Sequence, residues 1–405
     1  MKRRLLSAFL AVMMVLTMAP VAFAADTETT TEYVAQVDGT NYETLADAIE
    51  AANNKTLTLL KDVNGQIVIP EGKTVTLDLN GNTVTAPSGR YDAVINQGTL
   101  TVTDSQKTGE IISNGNGGIG ISAGSDTTIE YAKVTGREGA IGGDKSTVGA
   151  KLTINDGVFT GVDNAVVIFN GSKRDGDANK ITINGGIFNG KIQSPGYIAC
   201  GIYAPWKDDI TVNNGTFNIE NGAGIVARGG MVTVKGGEFN TTGNITGMVG
   251  DYKGTVPGSA LVFDSTAGYP GMNDDSQIVV EDGKFKSDVA AVTVIKQTSD
   301  AGNRVKVTGG TFSSDVSAYV AEGYVQNNGT VEQLGETNAV AEVGGTYYKT
   351  LAEAVSAADN NTVTLLKNTV EDVVIPADKT ITLDLNGKKI VNSTTAQDSK
   401  VANDA

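Results

Sequence analysis

Lys180-Ile-Thr-Ile-Asn-Gly-Gly-Ile-Phe-Asn-Gly190 is the stretch on which the reading of this chain turns. Apolar and polar residues alternate, two glycines make a turn, and an aromatic follows. The same order recurs in Lys151-Leu-Thr-Ile-Asn-Asp-Gly-Val-Phe159, Ile210-Thr-Val-Asn-Asn-Gly-Thr-Phe217 and Val232-Thr-Val-Lys-Gly-Gly-Glu-Phe239. It returns in Ile278-Val-Val-Glu-Asp-Gly-Lys-Phe285 and Val305-Lys-Val-Thr-Gly-Gly-Thr-Phe312. The aromatic falls at 159, 188, 217, 239, 285 and 312, in steps of 29, 29, 22, 46 and 27. Self-similarity at a period of about 20 to 50 residues marks a solenoid.

A further apolar segment precedes each unit, as in Ala165-Val-Val-Ile-Phe169 and Ala291-Val-Thr-Val-Ile295. Three short strands per repeat, with no 3.6-residue period between 56 and 335, predict an all-β right-handed parallel β-helix of roughly nine rungs. Ile181, Ile183 and Phe188 should then meet their equivalents one strand spacing away, about 4.8 Å. Asn184 and Asn213 hold matching turn positions and predict a stacked amide ladder. Gly185-Gly186 and its equivalents are expected to supply positive φ at the corner. The step of 46 reads as one rung with two long insertions, and Val134 takes the Phe position in an earlier rung.

Residues 1–24 read as a signal peptide: Lys2-Arg3-Arg4, an apolar run over 5–16, and Ala22-Phe23-Ala24 before the cleavage point. No second apolar span follows, so the mature chain is expected to be secreted or extracellular, associated with the cell surface and without membrane insertion. Losing three basic residues takes the formal charge from −15 to −18. That acidity argues against nucleic acid as a partner. A chain with no His has neither His catalysis nor His ligands. The single Cys200 sits in an apolar strand and reads as a buried thiol.

Residues 25–337 read as the β-helix domain. A cap helix near 43–53 carries Leu45, Ala48, Ile49 and Ala52 on one face. The segment 315–335 reads as the exit cap. From 338 to 405 the chain starts again: 340–387 aligns without gaps to 34–81 at an offset of 306. Leu351-Ala-Glu-Ala-Val355 answers Leu45-Ala-Asp-Ala-Ile49, and Leu383-Asp-Leu-Asn-Gly387 answers Leu77-Asp-Leu-Asn-Gly81. This second copy holds a cap helix and a first rung, which reads as a piece of a longer array.

With its Gly-Gly-x-Phe rungs, cap helix and Gly309-Gly-Thr-Phe-Ser-Ser-Asp-Val316 exit, the chain resembles secreted pectate-lyase-like β-helix surface proteins of Gram-positive, Clostridia-type bacteria. The resemblance implies an adhesin-like surface protein, with polysaccharide as the leading ligand class. Polygalacturonases of related fold carry Asn-Thr-Asp and Gly-His-Gly signatures, both missing here. Asp208-Asp209, Asp274-Asp275 and a loose Arg304-Val-Lys306 remain.

Loops between successive rungs collect on one edge, which holds Trp206, Lys207, Arg228 and Tyr269. An aromatic ring beside charged groups suits a sugar face, so these four are the candidate ligand-binding residues, for a polysaccharide or a host or bacterial surface glycan. The alternative reading of the same Trp is a ring folded over the rim to cover an exposed core edge. Asp208, Asp209, Asp274 and Asp275 form the alternative catalytic set. Two rungs separate the pairs by about 9.6 Å, near the separation of about 6.5 to 9.5 Å between the two carboxylates of inverting glycosidases. No calcium-loop spacing is present, and neither metal nor cofactor is expected. Two readings follow: a non-catalytic surface protein for adhesion or glycan binding, or a polysaccharide-degrading enzyme working on the loop edge.

Overall fold

A computed structural model describes residues 32–392, apart from 116, 144–145, 170–175, 193, 250–253, 267, 269–271, 273–274 and 296–303. The segment 1–24, read from sequence as a signal peptide, lies outside the described residues. The chain is a parallel β-helix. Each rung lays one strand on each of three long sheets, as Lys151–Ile154, Val158–Gly161 and Ala165–Phe169 do before Lys180–Ile183 begins the next. We call these the first, second and third sheets. The third has nine strands, one for each complete rung, and Val305–Val307 and Gly310–Phe312 begin a tenth.

Register is in phase through the whole repeat. Phe188 pairs with Phe159 and Phe217, and Ile181 with Leu152 and Ile210. Phe159, Phe188, Phe217, Phe239, Phe285 and Phe312 stack in one internal column, with ring centroids 4.4 to 5.2 Å apart and planes within 13° of parallel. Val134 continues the column toward the N-terminus beside Phe159. The predicted amide ladder is present on the corner. Nδ2 of Asn213 donates to Asn184 at 2.7 Å, and Nδ2 of Asn184 donates to Asn155 at 2.8 Å.

The glycine turn works differently from the expectation in one respect. Only its second residue has positive φ: Gly186 at 107°, Gly157 at 140°, Gly215 at 134°. The first position accepts Asp156 and Asn214 because its backbone needs no special conformation.

Outside the first sheet runs an unbroken column of Thr56, Thr76, Thr101, Thr128, Thr153, Thr182, Thr211 and Thr233. A β-branched residue with a polar end suits a half-solvated strand face, which accounts for this repetition.

Both ladder ends are closed against edge pairing. At the start, Ala35–Val37 and Thr40–Tyr42 add antiparallel strands to the first sheet. Helix α1, Leu45–Ala51, lies over the opening and buries Ala48 and Ile49; Thr44 caps it by accepting from Asp47 N. At the far end, the hairpin Tyr324–Asn327 and Thr330–Gln333 pairs antiparallel with Gly310–Phe312.

The second copy repeats the cap in register. Ala341 pairs with Tyr348 and Leu365 as Ala35 pairs with Tyr42 and Leu59. Helix α2, Leu351–Ala357, packs into a separate apolar cluster with Val363 and Leu365. Its Leu383 and Leu385 are 37% and 45% exposed, whereas their equivalents Leu77 and Leu79 are sealed by the next rung.

The step of 46 does hold one rung with two insertions. The first is a hairpin, Thr246–Met248 and Thr255–Pro257, between the second-sheet and third-sheet strands of that rung. The second is the loop before Gln277–Val280. Chain length thus varies at two corners rather than mostly at one.

Truncating Phe217 to Ala opens a hole in mid-column, where neighbouring rungs cannot close without breaking strand spacing. We predict a loss of about 3 to 5 kcal/mol in unfolding free energy, measured by denaturant titration. An unchanged midpoint would place the ring outside the core.

Candidate functional site

The edge holding Trp206 is built differently from its sequence expectation. Trp206 follows the strand Ala199–Ala204 and is 1% exposed, so its ring offers no open face to a sugar. The ammonium of Lys207 lies 5.0 Å from the ring centroid. That burial fits the rim-cover alternative rather than an open platform.

Arg228 is fully buried. Its Nε donates to Asp264 Oδ2 at 3.0 Å, Nη1 donates to Tyr203 Oη and Val249 O at 3.3 Å each, and Nη2 donates to Gly254 O at 3.1 Å. Val249 and Gly254 belong to the inserted hairpin, so the guanidinium ties that hairpin onto the outer face of the third sheet. Beneath it, Ile198, Tyr203, Val226, Val249, Val256 and Val262 form a second apolar layer. Cys200 lies in that layer, where burial pushes its thiol up to about 12, and Sγ donates to Ile202 O at 3.0 Å. It is an inert core residue. Tyr269 lies outside the described residues.

The four aspartates do not make a matched pair of carboxylates. Asp208 is buried, and Oδ1 accepts from Asn179 N at 3.3 Å and Asn179 Nδ2 at 2.9 Å. Oδ2 has no partner among the described residues. Burial pushes this carboxyl up to about 7, partly offset by the two bonds from Asn179. Asp209 faces solvent and is level with Met231 and Gln277. Asp275 is exposed too, but sits two residues ahead of Gln277, out of step with Asp209. Asp274 lies outside the described residues. Among the described residues no group of three or more His, Cys, Asp and Glu side chains is placed to hold a metal.

The open polar site lies elsewhere, on the outer face of the second sheet. Asn189, Asn218 and Asn240 follow successive core phenylalanines and therefore point outward in register. Nδ2 of Asn240 donates to Asn218 Oδ1, and Nδ2 of Asn218 donates to Asn189 Oδ1, both at 3.3 Å. An amide carries two N–H donors and two acceptor lone pairs, so this chain of bonds leaves hydrogen-bonding capacity along the column. Thr160, Lys191, Glu220 and Thr242 flank it, and together they line a shallow groove of about 460 Å³. The recurring Phe-Asn of Phe188-Asn189, Phe217-Asn218 and Phe239-Asn240 is the sequence signal for this face.

No known protein family, curated protein or solved structure matches the chain.

Two outcomes test the buried edge. Arg228→Ala leaves Asp264 as an unpaired buried charge and frees the hairpin; the expected cost is about 3 to 5 kcal/mol, with faster proteolysis around 250. For Asp208, the native carboxyl keeps its proton to about pH 7, while an unfolded one releases it near 3.8. The native state therefore binds more protons between these values, and the Asp208 contribution falls as pH rises through that window, at about 1.4 kcal/mol per pH unit at most. Asp208→Asn should remove this slope, so the stability difference between variant and wild type should grow in the variant's favour from pH 4 to 7.

Proposed function

We propose that this chain is a non-catalytic surface protein that binds an extended polysaccharide along the second sheet. The supporting observation is the column Asn189, Asn218 and Asn240 in its open groove. Equivalent side chains recur every strand spacing of about 4.8 Å, so a linear polymer laid across the strands meets the same amide at each rung. Amides donate and accept, which suits sugar hydroxyls of either polarity. Many weak, identical contacts favour retention of a long chain over turnover of one bond.

The wider reading agrees with this. The basic and apolar leader over 1–24 supports export, and the resemblance to pectate-lyase-like surface proteins supports a glycan as ligand. Among the described residues no helix is long and apolar enough to cross a membrane. The enzyme reading keeps less support, because Asp208 is sealed and Asp209 and Asp275 stand out of step.

Pull-down on a panel of insoluble polysaccharides tests the proposal. Asn218→Ala removes the middle of the column from an exposed position, so folding should be unchanged. One or two lost hydrogen bonds of about 0.5 to 1.5 kcal/mol each should weaken retention several-fold or more. Retention untouched by this substitution would move the ligand off the second sheet, and sugar release dependent on Asp209 or Asp275 would make the chain an enzyme.

A further inference from the structure

The exit hairpin of the ladder and the start of the second copy enclose a cleft of about 570 Å³, within the size range of small-ligand sites. Its lining includes Tyr324 from the hairpin, and Tyr347, Tyr348, Lys349 and Glu353 from the second copy. The three tyrosines are half-buried. None of their hydroxyls has a hydrogen-bond partner among the described residues.

Comparison of the two copies shows which of these residues the fold itself requires. At the offset of 306, Tyr348 answers Tyr42 and Glu353 answers Asp47, but Tyr347 stands where the first copy has Asn41, and Lys349 where it has Glu43. Both copies form the same strand pairs there: Gln36 with Asn41, and Glu342 with Tyr347. In the first copy Gln36 Nε2 donates to Asn41 Oδ1 at 2.8 Å. The first copy thus forms the same cap with Asn and Glu at these positions. A ring and a cation appear only in the copy whose surface faces the cleft.

We propose that this cleft is a binding site for a neutral saccharide unit, held between tyrosine rings with its hydroxyls on Lys349 and Glu353. Aromatic faces take the apolar side of a pyranose, and the unpartnered phenol hydroxyls add polar contacts at the rim. Lys349 Nζ and Glu353 Oε1 are 3.5 Å apart, a donor and an acceptor side by side. Glu322 also lines the cleft, so two carboxylates face one ammonium in a chain of formal charge −15. That balance disfavours an anionic sugar. The site rests on the saccharide-binding reading of the chain, but uses none of the second-sheet groove.

Titration of the full chain with glucose, N-acetylglucosamine, cellobiose and galacturonic acid, followed by calorimetry and by tyrosine ring resonances, tests this. The double variant Tyr347→Asn with Lys349→Glu restores the residues with which the first copy folds, so its melting temperature should match wild type. Its affinity for the neutral sugars should fall roughly tenfold, the loss of one ring stack and one charged contact. Asn218→Ala should leave these small-sugar affinities unchanged, which separates the cleft from the groove. Absence of neutral-sugar binding in wild type, equal binding by the double variant, or preference for galacturonic acid would each overturn the proposal. Loss of polymer retention in Asn218→Ala alone, with cleft binding intact, supports two independent sites.

Discussion

Every part of this molecule depends on strands stacking in phase, so that each side chain sits on its own equivalent one rung away. The phenylalanine column shows what that demands. A flat ring repeats at strand spacing without interpenetrating its neighbour, since offset parallel rings pack at 4.5 to 7 Å by about the same measure as strands do. The second glycine of the turn makes the repeat feasible. Its positive φ swings the chain from the first sheet to the second within two residues, so the aromatic arrives at the same depth in each rung. With turn and ring fixed, insertions can enter the other corners without disturbing register, as the hairpin over 246–257 does.

What holds inside the ladder holds outside it. Alternation places the residue after each core Phe on the surface, so a repeated sequence becomes a repeated surface. The asparagines at 189, 218 and 240, and those at 155, 184 and 213, form amide ladders on two faces of one corner. Each ladder satisfies part of its own hydrogen bonding and leaves the rest for water or a ligand. On the proposed reading, what such a surface presents to a ligand is length and periodicity more than a single chemical group.

The architecture was readable in the sequence because its determinants are local. Gly-x-Phe spacing, two-residue alternation and the 306-residue offset are all visible in a string, and each maps onto one corner, one column or one cap. The surface edge was not. Trp206 and Arg228 look like exposed, pattern-breaking residues, but their burial is decided by segments distant in the chain. Arg228 is sealed by Val249 and Gly254, in a hairpin too short and too rich in Gly and Pro to read as strands. Asp208 likewise differs from Asp209 by one residue, yet alternation buries one and exposes the other. The asparagine column stands in the sequence as a repeated Phe-Asn, which is no signal by itself because a polar residue after a core aromatic is ordinary for a strand. Its meaning comes from register, which aligns three such residues in one groove.

The most direct test of this account follows asparagine side-chain amide resonances, with the Trp206 indole, as a bound oligosaccharide from the polymer panel is titrated in. The account predicts that Asn189, Asn218 and Asn240 shift together while the Trp206 indole stays in place. Movement of the Trp206 and Lys207 signals, with the three amides unperturbed, would contradict it.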